Sequence, residues 1–177
     1  NLSFSGGTDD VSYYVSGGYY NQDGTTPAAN YQRYSGKANI DAFIKKWLKA
    51  GLNTTFSYSE QNTEVASGAG ASPLYNALTF PSGVPVYLTD AQGNYILDEE
   101  GNKQFNWLNP VSKDFNPVTI PHMDTWLTKT YRFLASFYAQ VEFTKGLTFK
   151  STFSPDYVSL YEIIFWNKEH GNGPAYG

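Results

Sequence analysis

The sequence contains no cysteine, a single methionine and two histidines. Disulfides and thiolate metal sites are therefore excluded. His122 and His170 have no companions at metal-ligand spacing. Charge is sparse: Asp, Glu, Lys and Arg make up 16% of the chain, against a usual level near 25%. The net charge of −4 comes without any basic run, so a nucleic-acid partner is not expected. No apolar run approaches the roughly 18–20 residues of a membrane helix. That absence leaves strand-spanning membrane proteins open, because their alternating segments do not raise overall hydropathy. Gly-x-Ser-x-Gly, His-Glu-x-x-His and a phosphate-binding glycine loop are all missing. Asp41 and Glu142 could be imagined as paired glycosidase carboxylates, but a long intervening segment separates them and nothing brackets them as a pocket. The reading is a protein that is not an enzyme and needs no cofactor.

Aromatic residues, in contrast, are abundant at 18%, and tyrosine leads with fifteen. They concentrate in one organising stretch, Thr130 to Phe153. Its odd positions, from Tyr131 and Phe133 through Ala135, Phe137, Ala139 and Val141 to Phe143, are all apolar or aromatic. The even positions, Arg132, Leu134, Ser136, Tyr138, Gln140 and Glu142, are mostly polar. Side chains alternate faces along a strand, so this is one long strand with an apolar and a wet face. Lys145-Gly146 reverses it, and Leu147, Phe149 and Phe153 alternate with Thr148, Lys150 and Thr152 on the return. Aromatics near both ends of a strand longer than the usual 5–6 residues suit a transmembrane strand of about 9–11 tilted residues.

Upstream, Leu2 and Phe4 end one strand, and Gly6 to Asp10 supply a tight turn. Val11–Asn21 is the next strand, followed by a loop over 22–30 with breakers at Asp23-Gly24 and Pro27. Tyr31–Phe43 alternates Tyr34, Gly36, Ala38, Ile40 and Ala42 with Ser35, Lys37, Asn39 and Asp41. Leu48–Ser59 alternates Leu48, Ala50, Leu52, Phe56 and Tyr58 with Lys49, Asn53, Thr55 and Ser57. A helical face over 40–52 competes, but the period of two on both flanks favours a hairpin.

Residues 60–129 differ in kind. They hold most of the prolines and a small repeat, Asp90-Ala-Gln-Gly-Asn and Asp98-Glu-Glu-Gly-Asn. Each unit reads as a β-turn, with Tyr95-Ile-Leu a short strand between them. The repeat lacks the ligand spacing of an EF-hand loop. A structureless loop of this length would be unusual, so a partly folded excursion is expected. Pro155-Asp156 interrupts the final return strand, Tyr157–Trp166 continues it, and 167–177 reads as loop. The organisation is thus 1–59 as four strands, 60–129 as excursion, 130–166 as hairpin and 167–177 as the start of another loop.

Short connections at 6–10, 45–47 and 145–146 alternate with long ones at 22–30, 60–129 and after 166. Outer-membrane barrels have short periplasmic turns and longer extracellular loops. The expected fold is all-β: an antiparallel, up-and-down segment of a transmembrane β-barrel with one long extracellular excursion. About six strands cannot close a barrel, since the smallest have about eight, and the chain begins inside a strand. It therefore reads as a slice of a longer protein.

Several runs carry a resemblance: Leu2-Ser-Phe-Ser-Gly-Gly-Thr, Tyr13-Tyr-Val-Ser-Gly-Gly-Tyr-Tyr-Asn-Gln-Asp-Gly and Arg33-Tyr-Ser-Gly-Lys-Ala-Asn-Ile-Asp. To these are added Trp47-Leu-Lys-Ala-Gly-Leu-Asn, Ser72-Pro-Leu-Tyr-Asn-Ala-Leu and Lys145-Gly-Leu-Thr-Phe-Lys-Ser. In order and spacing they resemble the SusC/RagA-like TonB-dependent outer-membrane transporters over essentially the whole chain. The resemblance implies a barrel of about 22 strands around an N-terminal plug. It implies energy from the TonB system and a SusD-like surface lipoprotein that helps capture a glycan or peptide. Neither plug, TonB box nor a C-terminal strand with a terminal aromatic is present here, so the whole importer is not contained in these residues.

Lys37, Asn39, Asp41, Lys49, Asn53, Arg132, Gln140, Glu142 and Lys150 are the polar residues expected to face the lumen. There they would contact solute or plug, or simply be solvated. In the excursion, Tyr75, Tyr87, Asn106, Trp107 and Trp126 are candidates for contact with a partner or sugar, since aromatic faces stack and fill pockets. The competing reading is that the excursion's aromatics form its own small core. Two alternatives accompany the importer. One is a soluble secreted β-rich glycan-binding module whose apolar faces meet in a core. The other is a structural barrel or adhesin without transport.

Overall fold

The computed structural model describes residues 1–63, 72–106 and 115–168. Seven strands form one sheet: β1 (Leu2–Gly7), β2 (Val11–Asp23), β3 (Asn30–Lys45), β4 (Leu48–Asn62), β5 (Thr125–Thr144), β6 (Leu147–Phe153) and β7 (Asp156–Phe165). Strands β1 to β6 lie side by side in chain order, and β7 pairs with β5. This is the meander that a period-two pattern with alternating tight turns dictates. The helical alternative over 40–52 does not form; β3 and β4 run through it on either side of a turn at Lys46-Trp47.

Register follows the side-chain pattern. Leu2, Phe4 and Gly6 lie opposite Gly17, Val15 and Tyr13. Phe137, Ala139 and Val141 lie opposite Phe153, Ser151 and Phe149. A one-residue slip would exchange the faces, so the pattern specifies the pairing. The return strand is split in two at Ser154-Pro155. Proline has no N–H for a ladder, yet its carbonyl still accepts from the Ala135 N–H at 3.0 Å. Strand β7 therefore resumes against β5.

Two boundaries run past the sequence reading: β4 continues to Asn62 and β5 begins at Thr125. The added residues are mostly polar, so hydropathy alternation no longer marks them. Backbone pairing does, as in the Thr63 N–H to Trp126 carbonyl bond at 2.9 Å. The intervening segment also contains two short helices not read from the sequence, α1 (Pro73–Thr79) and α2 (Ile120–Met123). Ser72 caps α1 by accepting from the Tyr75 N–H at 3.3 Å, with proline at the first helical turn where its missing donor does no harm.

The chain divides into two compact units. One consists of Asn1–Gln22, Tyr31–Gln61 and Thr128–Tyr161; the other comprises Asp23–Asn30, Asn62–Leu127 and the segment from Glu162 onward. In the first, a single sheet carries large apolar side chains that no other described residue covers. Phe4 is 64% exposed, Phe143 65% and Phe153 70%. Among the described residues only Ala135 and Ile120 are fully buried apolar residues. A soluble sandwich must bury such a face against a second layer, and the described residues form none. A free apolar face of this extent needs an apolar medium. No helix is long and apolar enough to cross a membrane, which says nothing against strands.

Candidate functional site

The polar face of the sheet is built around one side chain. Tyr138 on β5 reaches across β4 and donates its hydroxyl to Asp41 Oδ1 on β3. Gly51 makes this possible, because a Cβ there would sit 2.2 Å from the Tyr138 ring and 2.5 Å from Asp41 Oδ1. A glycine in a strand often marks such a close approach. Two cations flank the same ring: Lys150 Nζ lies 4.3 Å and Lys49 Nζ 5.9 Å from its centre. Their charge meets the negative face of the π-system. Gln140 is paired with Lys150 and Glu142 with Thr148 across the β5–β6 ladder. Arg132 binds Asp156 at 2.8 Å, with both groups well exposed.

Beside this cluster lies a shallow hollow of about 380 Å³ lined by Lys37, Asn39, Asn53, Thr55, Leu134 and Ser136. Asn39 Oδ1 is buried there without a hydrogen-bond partner among the described residues. The polar residues singled out in the sequence thus share one face, and Lys49, Asp41 and Lys150 meet around Tyr138. Sequence reading missed Tyr138 as their centre, because an aromatic at a polar-face position reads only as an exception to the alternation.

On the opposite, apolar face a second feature crosses the strands. The rings of Tyr19, Tyr34, Tyr58 and Tyr131 form a row over β2, β3, β4 and β5, with centres 4.9, 6.4 and 4.6 Å apart. Each tyrosine lies near the end of its strand that leads to a long connection. Two positions further out on β4 and β5, Glu60 and Lys129 pair at 3.1 Å, and the Tyr58 hydroxyl donates to Glu60. Lower on the same face, Thr54 hides its hydroxyl by donating to the Ala38 carbonyl at 3.3 Å.

In the second unit the tandem turns are part of a larger device. Leu88, Ile96 and Gln104 are joined head to tail. The Leu88 N–H reaches the Gln104 carbonyl at 2.9 Å, the Gln104 N–H reaches Ile96 at 2.9 Å, and the Ile96 N–H reaches Leu88 at 3.0 Å. An eight-residue spacing closes a three-membered ring. Asp90 and Asp98 each fold their turn by accepting two backbone N–H bonds on Oδ1. Gly93 and Gly101 take the positive φ of 87° that the turns require. The side chain of Asn94, ahead of backbone N–H groups, holds the Asp90 carboxyl below its usual range. For Asp98 the backbone N–H of Asn102 is the leading cause of a shift in the same direction.

A depressed carboxylate contributes stability above its unfolded pKa and loses it as pH falls through the folded one. The turns are therefore expected to loosen as pH falls through and below the ordinary aspartate range, at about 3.9. Pepsin nicking between Tyr87 and Phe105 should rise over that range, and an Asp90→Asn/Asp98→Asn variant should be nicked readily throughout. A pH-independent, resistant variant would show that the carboxylates do not hold the turns.

Of the excursion's contact candidates, Tyr87 is packed within this knob. It lies 5.1 Å from Phe105 in a stack and 5.9 Å edge-on from Tyr95. Phe105 stacks in turn on His122 at 5.5 Å. Lys103 caps the Tyr95 ring at 3.9 Å. Asn106 donates to the Pro85 carbonyl at 3.2 Å. These aromatics pack as the excursion's own core. Tyr75 remains half-exposed on α1, and Trp107 lies outside the described residues. Trp126 lines a hollow of about 260 Å³ with His122, Asp124, Asn30, Asn62 and Pro121. Its indole donates to Glu162 at 2.7 Å, and Asn62 donates to Asn30 at 3.0 Å. Ala28, also lining it, holds a positive φ of 67°. Sequence reading missed His122 and the Asn30–Asn62 pair, which are brought together from distant positions. Among the described residues no group of three or more acidic or histidine side chains could hold a metal ion.

No family model matches the chain. Among curated proteins it is 34% identical over 157 residues to TonB-dependent receptor P3 of Formosa agariphila, covering 86% of this chain and 14% of that protein. It is 29% identical over 173 residues to TonB-dependent receptor P26 of the same organism, covering 97% of this chain and 16% of that protein. The chain thus spans about one-sixth or less of the length of these relatives. Among solved structures it superposes on the RagAB peptide importer in its 'closed-closed' state with a TM-score of 0.62 at 26% identity, covering 89% of this chain and 17% of that one. Such receptors reside in the outer membrane, and the uncovered apolar face is the surface such a location requires. The chain belongs to the SusC/RagA-like TonB-dependent outer-membrane receptors, of which it forms a stretch of antiparallel barrel wall.

Proposed function

We propose that these residues serve a TonB-energised importer of glycans or peptides that works with a SusD-like surface lipoprotein. The carrying observation is the superposition on the RagAB peptide importer over 89% of the chain. In this reading the apolar face holds the wall in lipid. The polar face around Tyr138, with Lys37, Asn39, Asp41, Asn53, Arg132, Gln140, Glu142 and Lys150, lines the lumen. No catalysis is involved.

The hollow beside Trp126 is the proposed contact for cargo at the outer mouth. Its volume of about 260 Å³ falls just below the roughly 300–1,000 Å³ of small-molecule pockets. It suits one sugar ring or one amino-acid side chain of a larger solute. Trp126 offers an aromatic wall, while Asp124 and the two asparagines offer polar partners for hydroxyl or amide groups.

The test is uptake by cells carrying the full-length protein as their only copy, with labelled oligosaccharide and labelled oligopeptide pools. Uptake of one pool is expected to stop when the proton-motive force is dissipated. It should fall about tenfold in a Trp126→Ala/His122→Ala variant, the scale of losing a well-packed aromatic anchor. Uptake that survives both treatments would overturn the reading.

A further inference from the structure

We infer that the tyrosine row, together with Glu60 and Lys129, is a binding site for the sugar headgroup of an outer-leaflet glycolipid. Tyr131 and Phe143 bound the apolar positions of β5. About 12 steps of roughly 3.3 Å, tilted by about 40°, rise ~30 Å, close to the apolar band of an outer-membrane barrel. Tyr131 and its neighbours in the row therefore sit at the outer interface. Glu60 and Lys129, two positions further out, sit among headgroups.

The chemistry at that level is specific. Four rings in contiguous contact, Tyr19 to Tyr131, make a shelf across four strands. Sugars present C–H faces that pack on aromatic rings, and the shelf offers its rings toward the membrane. Above the shelf stands an ion pair rather than a lone charge. The Glu60 carboxylate can accept from one sugar hydroxyl while the Lys129 ammonium group donates to another. Both groups keep about a third of their surface, 35% for Glu60 and 33% for Lys129, so they remain reachable. The Tyr58 hydroxyl holds Glu60 in place, which ties the polar reader to the aromatic shelf.

Below the shelf the same face continues as Gly36, Ala38, Leu52 and Phe133, a surface for acyl chains. A ligand matching all three levels must be amphipathic, with acyl chains beneath a sugar. A free glycan would leave the lower level unused. A phospholipid without sugar would leave the shelf and the pair unused. The continuity of the row with the lipid-facing surface thus selects a glycolipid.

The test uses the full-length protein in detergent micelles, titrated by native mass spectrometry with lipid A, with phosphatidylethanolamine and with the free glucosamine disaccharide. Two variants are compared, Tyr34→Leu/Tyr58→Leu and the charge-neutral Glu60→Gln/Lys129→Gln, each checked for barrel folding by heat-modifiable gel mobility. Lipid A affinity is expected to fall about tenfold in both. Phosphatidylethanolamine binding should stay unchanged, and free disaccharide binding should not respond to either variant. Lipid A retained equally by folded variants would overturn the site. So would an equal loss of phosphatidylethanolamine, which would reduce the row to a general interface belt. Free disaccharide binding that falls with the variants would replace the glycolipid by a soluble glycan and overturn it as well.

Discussion

Ala139→Arg is expected to destabilise the full-length protein in a bilayer by about 2–4 kcal/mol, the range for a cationic side chain at mid-depth on the lipid face of a barrel. Ala139 is exposed, lies between Phe137 and Val141 on the apolar face of β5, and is paired with Ser151 on β6. An arginine there must either enter hydrocarbon or bend toward the headgroups. Thr152→Arg is the companion experiment. Thr152 is paired with Tyr138, at nearly the same depth but on the polar face. There the guanidinium meets an aromatic ring and a polar surround, and the change should stay within about 1 kcal/mol. Denaturant titration in phosphatidylcholine vesicles measures both. Equal losses at the two positions would mean that the faces are wrongly assigned, and a larger loss at Thr152 would invert them.

Gly51→Val is expected to lower stability by about 2–3 kcal/mol, comparable to losing a hydrogen bond to a charged group with some overpacking. The new Cβ would overlap the Tyr138 ring at 2.2 Å and Asp41 Oδ1 at 2.5 Å. The ring must then leave, and the partly buried Asp41 carboxylate loses its donor. Valine is otherwise a better strand residue than glycine, so the sign of the effect identifies its cause. In a Tyr138→Ala background the ring is already gone, and Gly51→Val should then be neutral or stabilising. The two changes are therefore expected to be strongly non-additive, as side chains in direct contact are. Additive losses would show that Gly51 serves something other than passage of the tyrosine.

The same contrast separates what the order of residues dictates from what folding adds. Alternation from Tyr131 to Phe143 requires a long two-faced strand whatever surrounds it, because successive side chains point to opposite sides. Tight turns at 6–10, 45–47 and 145–146, alternating with long connections, require an antiparallel meander. The return strand's break was legible at Pro155, because proline cannot donate to a ladder. These properties are local, or repeat with a short period, and a single sequence displays them.

Tertiary structure decided the contacts that join distant positions. Nothing in the sequence pairs Tyr138 with Asp41, and Gly51 gains its meaning only because it lies between them. Two of the four tyrosines, Tyr19 and Tyr131, are at odd positions and two, Tyr34 and Tyr58, at even ones, and only the ladder aligns them into one row. The knob shows both kinds of information at once. Its Asp-x-x-Gly-Asn turns are written in the sequence, but Lys103-Gln104-Phe105, the third member of its ring, carries no turn signal and is recruited by backbone hydrogen bonds. His122, Trp126 and the Asn30–Asn62 pair come together for the same reason. Short-range preferences fix the elements, while pairing between remote segments depends on which backbone groups remain to be satisfied once those elements have formed.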